Sequence, residues 1–92
     1  MISIVAKFII KEGEEENFLT LIDKLGKASR AEEGCIEYIL HKDVKKPLTY
    51  CLIEKWKNQE AVDLHNNTPH FTGTVPKIVE IAKVEIDVYQ PV

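Results

Sequence analysis

The sequence predicts an α+β domain of the ferredoxin-like split βαβ type, in which a four-stranded antiparallel sheet carries its helices on one face. Three observations support this class: four segments alternate apolar and polar residues, the segments between them show helical spacing, and the order is strand, helix, strand, strand, helix pair, strand. The 92 residues are expected to form one domain, 1–92. A domain of this size buries only roughly 60 to 65% of the surface of its unfolded chain.

The first strand and the first helix have the clearest patterns. Residues 2–11 place apolar side chains at every second position, namely Ile2, Ile4, Ala6, Phe8 and Ile10. Gly13 ends the strand, and the glutamates at 14–16 fall in a first helical turn, where negative charge interacts favourably with the helix dipole. The helix that follows buries one stripe, Phe18, Leu21, Ile22, Leu25, Ala28 and Ser29, and Gly34 lies beyond its end.

A hairpin is expected next, with strands at 35–41 and 48–56 joined by a turn at 42–47. The first of these strands places Ile36, Tyr38 and Leu40 on one face. The register that gathers apolar side chains on one side pairs Leu40 with Tyr50, Tyr38 with Leu52, and Ile36 with Glu54.

The last part of the chain is predicted to contain two helices and a strand. Asn58 is a plausible N-cap for a helix whose inward stripe is Ala61, Leu64, His65 and Thr68. Pro69 is expected to interrupt this helix. A third helix follows at 72–82, with Pro76 near its start and Val75, Ile78, Val79 and Ala82 as its stripe. The final strand, 83–89, alternates Val84, Ile86 and Val88 with polar residues.

The second face of the sheet is too apolar to remain exposed, because Val5, Ile9, Cys51 and Ile53 lie on it. A two-fold partner that covers this face with its own sheet would bury these side chains. The sequence therefore predicts a homodimer.

Charge and hydropathy narrow the classes of partner. The net charge of −3 repels nucleic acid, and the only basic patch, Lys42, Lys45 and Lys46, lies in the predicted turn without interleaved aromatic residues. No apolar run approaches the roughly 18 residues of a membrane span. The first residues do not form a secretion signal. We expect a cytoplasmic protein that binds neither nucleic acid nor membranes.

Several kinds of site are not predicted. The four glycines are dispersed, so no phosphate-binding loop is expected. Cys35 and Cys51 lie about four residues, or ~13 Å, out of register in the predicted hairpin, too far for a disulfide. Metal ligation by Glu54, His65 and His70 is not expected, because Pro69 separates the two histidines and their i, i+5 spacing does not place both rings on one helical face.

The candidate catalytic residues are His65 and Glu54. Imidazole is the side chain whose ordinary pKa lies nearest neutrality, so an inward-facing His65 suits a general base. Glu54 shares a strand face with apolar residues, where a carboxylate must be paired or have a raised pKa, and it is expected to hydrogen-bond and orient His65. The alternatives are that His65 is a hydrogen-bonded core residue and that Glu54 lies on the surface.

The candidate substrate-binding residues are aromatic, apart from one histidine. Flat ring surfaces suit a planar substrate held by stacking. Before other considerations, an ordinary core position is favoured for Trp56, and this position is compatible with a cavity wall. His70 could cap a helix, line the cavity entrance or face solvent, and the last two positions are favoured. The full set is Tyr38, Tyr50, Trp56, His70 and Phe71.

These residues carry a family resemblance. The segment Glu54-x-Trp56, then Glu60-Ala61, then His65-x-x-Thr68-x-His70-Phe71, resembles the antibiotic biosynthesis monooxygenase family, and within it the small quinol monooxygenases. The similarity spans essentially the whole chain. It implies a dimeric ferredoxin-like α+β barrel with a site between sheet and helices in each subunit. It also implies oxidation of a phenolic or quinol substrate by dioxygen without flavin, haem or metal.

The same motif leaves other functions open. The His-x-x-Thr-Pro-His-aromatic stretch is also similar to that of the isomerase of the phosphorylated autoinducer-2 signal, whose phosphate would need a basic group such as Lys7, Lys27, Arg30 or Lys55. A non-catalytic dimeric binding domain is the third interpretation. The haem-degrading branch is disfavoured, because Ala6 replaces its first-strand asparagine and Val75 its helical histidine.

Overall fold

The computed structural model describes all 92 residues and has the predicted ferredoxin-like α+β fold. Its elements are β1 (Ile2–Ile10), α1 (Glu15–Arg30), β2 (Cys35–Lys42), β3 (Thr49–Trp56), α2 (Gln59–Asn66), α3 (Pro69–Ile81) and β4 (Ala82–Tyr89). The strand order is β2-β3-β1-β4, and every neighbouring pair is antiparallel. None of the helices combines the length and the apolar character that crossing a membrane requires.

The core lies between the sheet and the helix layer, as the two periodicities predict. Ile4, Ala6, Phe8 and Ile10 of β1 are all buried on the helix side of the sheet. The buried stripe of α1, Phe18, Ile22 and Leu25, packs into the same cluster. Burying one such large side chain stabilises the fold by roughly 1.5–3 kcal/mol. The buried side chains of the central strands therefore pack against the helices and stabilise the position of the helices on the sheet.

The predicted register of the hairpin is wrong by two residues. Leu40 lies opposite Leu52, and Tyr38 lies opposite Glu54. The turn is displaced because the Asp43 side chain accepts hydrogen bonds from the backbone N–H groups of Lys45 and Lys46 at 2.8 and 3.0 Å. A shift of two residues keeps every side chain on its face, so this error alone does not change which side chains of the hairpin face the helices.

A β-bulge at the start of β2 overturns one further expectation. The pairing slips between Cys35 and Glu37, so Ile36 turns away from the core and is 55% exposed. Cys35 packs against the core in its place. Both cysteines are free, as the predicted separation requires.

The boundary between α2 and α3 also differs from the prediction. Pro69 does not separate two helices by a loop, because it occupies the first turn of α3, where a missing N–H costs nothing. The helix therefore begins at Pro69 rather than at residue 72, and Pro76 lies in its middle. In α2, Val62 is buried and Leu64 is 66% exposed, contrary to the predicted stripe, whereas Ala61 and His65 face inward as expected.

Candidate functional site

A cavity lies between the sheet and α3. Its volume is about 290 Å³, and twelve of its thirteen lining residues are hydrophobic, the exception being Glu54. A second space of about 350 Å³ shares Glu54, Phe71 and Ile86 with the first and is also lined by His65. We call the two together the sheet–helix cavity. Its apolar walls and few polar groups are typical of sites for small organic ligands.

Glu54 is a buried carboxyl group in the middle of β3. It lies between Ile4 and Tyr38 in the sheet and is 6% exposed. The indole Nε1–H of Trp56 donates to its Oε1 at 2.9 Å. Burial raises the pKa of Glu54 from its ordinary 4.5 to about 7, although the hydrogen bond from Trp56 opposes this shift. Near neutral pH, Glu54 can therefore either accept or release a proton.

The expected hydrogen bond between Glu54 and His65 is not formed. Trp56 lies two residues after Glu54 on the same face of β3, and its indole N–H hydrogen-bonds the Glu54 carboxyl group instead. The Nδ1 atom of His65 lies 2.6 Å from Oε2 of Glu32. Glu32, in the turn after α1, therefore orients the imidazole, a role that the sequence does not predict. Glu32 is 33 positions away in the chain, and the Glu-Glu-Gly segment there has the composition of an ordinary solvated turn.

His70 also hydrogen-bonds the Glu32 carboxylate. Its Nε2 lies 2.8 Å from Oε2 of Glu32, so one oxygen binds both imidazoles. The spacing argument that kept His65 and His70 apart was wrong, because Pro69 starts a new helix and the two rings do not share one helical axis. His70 is 24% exposed, whereas His65 is 2% exposed. His70 does not line the sheet–helix cavity.

This pairing fixes the tautomer of His65. A carboxylate can only accept hydrogen bonds, so Nδ1 of His65 must carry the proton it shares with Glu32. Burial lowers the pKa of His65, although Glu32 opposes this effect, so the ring is neutral at neutral pH. A neutral ring with its proton on Nδ1 has a lone pair on Nε2. No protein group bonds this nitrogen, and His65 lines the cavity, so Nε2 is free to accept a proton there.

Thr68 holds the two histidine-bearing helices together. Its hydroxyl donates to the backbone carbonyl of His65 at 2.7 Å and accepts from the backbone N–H of Phe71 at 3.3 Å. The same side chain thus ends α2 and caps the start of α3. This explains in physical terms why the spacing His-x-x-Thr-Pro-His-aromatic brings two imidazoles and a phenyl ring together.

Trp56 contacts His65 and Glu54 from within the core and does not form part of the cavity wall. Its side chain is fully buried and does not line the cavity. The indole lies against the His65 ring, with centroids 4.4 Å apart. Tyr38 and Phe71 do line the cavity, and Phe71 meets His65 edge-on at 5.1 Å. Burial, with the nearby Glu54 as a smaller cause, raises the pKa of the Tyr38 phenol, which keeps it protonated.

Tyr50 lies outside the site, contrary to expectation. It packs against Phe18 with ring centroids 5.3 Å apart, and its hydroxyl donates to Glu15 at 2.5 Å. Tyr50 shares the face of Trp56 but stands six residues away on the strand, a distance of about 20 Å. Face periodicity cannot detect such a displacement.

Comparisons with known proteins bear on the family and the fold of the chain. The family model described as antibiotic biosynthesis monooxygenase matches residues 1–77. The chain is 39% identical to a Bacillus subtilis protein named "Putative monooxygenase YcnE", over 96% of this chain and 93% of that protein. A crystal structure described as an antibiotic biosynthesis monooxygenase is 31% identical, with a TM-score of 0.93 and coverage of 100% and 99% of the two chains. A conserved protein from Methanosarcina mazei Go1 is 29% identical, with a TM-score of 0.95 and coverage of 99% and 92%.

The raised pKa of Glu54 predicts a particular pH dependence of stability. A carboxyl group whose pKa is higher in the folded state stabilises the fold fully below pH 4.5, and this contribution is lost as pH rises through about 7. Glu54→Gln removes that loss while keeping an oxygen for the Trp56 hydrogen bond. We expect the free energy of unfolding of Glu54→Gln, relative to wild type, to rise between pH 5 and pH 8 by up to about 3 kcal/mol.

Urea unfolding at both pH values and one protein concentration measures this difference. Glu80→Gln, at an exposed position of α3, is the matched control and should follow the wild type at both pH values. Parallel pH profiles for Glu54→Gln and wild type would show that Glu54 is ionised in the folded protein throughout this range.

Proposed function

Because the chain belongs to the antibiotic biosynthesis monooxygenase family, we propose that it oxidises a quinol or another phenolic aromatic compound with dioxygen, without an organic cofactor or a metal. The proposal rests mainly on the apolar sheet–helix cavity. Two proton-accepting side chains, His65 and Glu54, line this cavity. The physiological substrate is a small compound, since the two parts of the cavity have volumes of about 290 and 350 Å³.

The first step is removal of a phenolic proton. Triplet dioxygen reacts slowly with closed-shell organic molecules, and a phenolate donates an electron far more readily than the neutral phenol. Nε2 of His65 accepts this proton, because Glu32 keeps the ring proton on Nδ1. The imidazolium that forms is stabilised by the same carboxylate. Glu32 is thus a positioning residue, since it acts on the substrate only through His65.

The oxidation balances without any other reductant. The substrate supplies four electrons: two convert the quinol to the quinone, and two convert one ring C–H to C–OH. These electrons reduce both oxygen atoms of O₂ by two electrons each, and the two hydroxyl groups of the quinol supply the two protons of the water. One oxygen atom remains in the hydroxylated quinone and the other leaves as water.

The other cavity residues bind and orient the ring. Phe71 and Tyr38 offer aromatic surface, and the phenol of Tyr38 remains a hydrogen-bond donor for an oxygen of the substrate. The carboxyl group of Glu54, with a pKa of about 7, serves the second hydroxyl group of a quinol as donor or acceptor. Trp56 keeps both Glu54 and His65 in place from the side away from the substrate.

A phosphorylated substrate, as in the isomerase alternative, fits the cavity less well. Neither part of the cavity is lined by a lysine or an arginine. Arg30 donates to the backbone carbonyl of Tyr38 at 2.8 Å, and Lys55 pairs with Glu37 at 3.3 Å. The apolar lining favours an uncharged ring over a phosphate ester.

Oxygen consumption with a panel of hydroquinones and naphthoquinols tests the proposal. We expect the protein to consume one O₂ per quinol in the presence of a chelator. His65→Ala should lower kcat by about 10²- to 10⁴-fold, the usual contribution of a general base. His41→Ala, at an exposed histidine of β2, should leave the rate unchanged.

Three results would contradict the proposal. The first is no oxygen uptake with any member of the panel, and the second is a wild-type rate for His65→Ala. The third is conversion of a substrate without oxygen uptake, which would favour the isomerase. Binding of a quinol, seen as a thermal shift without any product, would favour the non-catalytic binding domain.

We further propose that the active form is a homodimer built through the outer face of the sheet. Ile39, Ile53 and Val5 form a cross-strand row on this face, and Ile39 is 45% exposed. Adjacent apolar side chains on an open sheet face favour burial against a second sheet, which packs about 10 Å away.

A charge placed on this face should separate the subunits. We expect wild-type protein to elute as a dimer at micromolar concentration and Ile39→Glu as a folded monomer, measured by gel filtration with light scattering. Leu19→Glu is the matched control, because Leu19 is 40% exposed on α1, on the opposite side of the sheet. A monomeric wild type, or a dimer unaffected by Ile39→Glu, would contradict this interface.

A further inference from the structure

The cluster of Glu32, His65 and His70 has a second chemical capacity. We propose that these three residues bind a divalent transition-metal ion such as Zn²⁺, and that its binding converts the cavity-facing nitrogen of His65 from a proton acceptor to a donor. The donor atoms of the three residues all lie within 4.8 Å of one another. The turn after α1, α2 and α3 each supply one of them.

The ligand set suits such an ion. Two imidazole nitrogens and one carboxylate oxygen are common ligands of Zn²⁺ and of the other late first-row divalent ions. Around a tetrahedral ion with bonds of ~2.0–2.1 Å, neighbouring ligand atoms stand roughly 3.3 Å apart. The observed separations from Glu32 Oε2 are 2.6 Å to His65 Nδ1 and 2.8 Å to His70 Nε2. Each histidine nitrogen therefore needs to move away from Oε2 by about 0.5 to 0.7 Å, and the two nitrogens already lie within 4.8 Å of each other. A fourth position remains for water.

The cluster is preorganised and can be reached from outside. Trp56 packs against the His65 ring, and Thr68 ties the ends of α2 and α3 together. Glu32 also lines an open surface depression of about 390 Å³ with two further carboxylates, Glu33 and Glu60, and one opposing cation, Lys57. This excess of negative charge attracts cations toward Glu32.

Metal binding would change what His65 offers to the cavity. A metal bound to Nδ1 uses the lone pair of that nitrogen, so the single proton of the neutral ring must move to Nε2. The ring loses no proton overall, but Nε2 becomes a donor and can no longer act as a base. The metal would bind the Nδ1 atom, which faces Glu32, and would leave Nε2 uncoordinated. This consequence for reactivity rests on the proposed function, whereas metal binding itself does not.

Calorimetric titration of the intact, chelator-treated protein with ZnCl₂ tests the binding. We expect one ion per chain, and at least tenfold weaker binding for His70→Ala and for Glu32→Gln. The chain has three histidines, so His41→Ala provides a control outside the cluster and should bind as the wild type does. Circular dichroism and thermal melting of each variant establish that it is folded.

Three outcomes would overturn the site. The first is no binding by the wild type, the second is equal binding by wild type and His70→Ala, and the third concerns the two cysteines. Because Cys35 and Cys51 are free thiols, the Cys35→Ser/Cys51→Ser protein must also bind normally, and loss of binding there would assign the ion to the thiols.

The effect on reactivity is measured separately. Oxygen uptake by the wild type should fall in proportion to the occupancy found by calorimetry. Unchanged or faster uptake at full occupancy would overturn the tautomer switch. Failure of the proposed function would instead appear as no uptake by the metal-free protein.

Discussion

A single carboxylate oxygen, Oε2 of Glu32, determines the chemistry of the site. It accepts from His65 Nδ1 at 2.6 Å and from His70 Nε2 at 2.8 Å. Because a carboxylate cannot donate, both protons are fixed on the imidazoles, and the buried ring of His65, which lines the cavity, is left with a free lone pair on Nε2. Had His65 been held by a hydrogen-bond donor, its free nitrogen would carry the proton and could not act as a base.

The scaffold makes this interaction possible by holding three separate segments against one another. Thr68 joins α2 to α3, so His65 and His70 converge although a proline lies between them. Trp56 links the sheet to the helices, since its indole donates to Glu54 and its ring packs on His65. Burial shifts the pKa values of the two candidate proton-exchanging side chains in opposite directions. The pKa of Glu54 rises to about 7, so this carboxyl group can exchange protons near neutral pH, whereas the pKa of His65 falls, which keeps the imidazole in its neutral, proton-accepting form.

The sequence was sufficient for the fold and for part of the site, and the reasons are physical. Alternation of period two identifies a strand face, so Glu54 and Tyr38 were correctly placed toward the helices; helical spacing likewise turned His65 inward. Periodicity does not fix register along a strand, which is why the hairpin slipped by two residues and Tyr50 was assigned to the cavity. Glu32 had no local signal, because only the tertiary fold brings a turn residue to a histidine 33 positions away. Pro69 was treated as a break, although proline is equally suited to the first turn of a helix.

The reactivity of the site depends on metal-free His65 being neutral, with its proton on Nδ1 and a free lone pair on Nε2. Long-range ¹⁵N–¹H correlation spectra of protein labelled with ¹⁵N-histidine, recorded near pH 8 with a chelator present, measure this directly. We expect a protonated Nδ1 and an unprotonated Nε2 for His65, and loss of that preference in Glu32→Gln. A proton on Nε2, or an imidazolium at this pH, would show that Glu32 does not hold His65 in the proton-accepting tautomer.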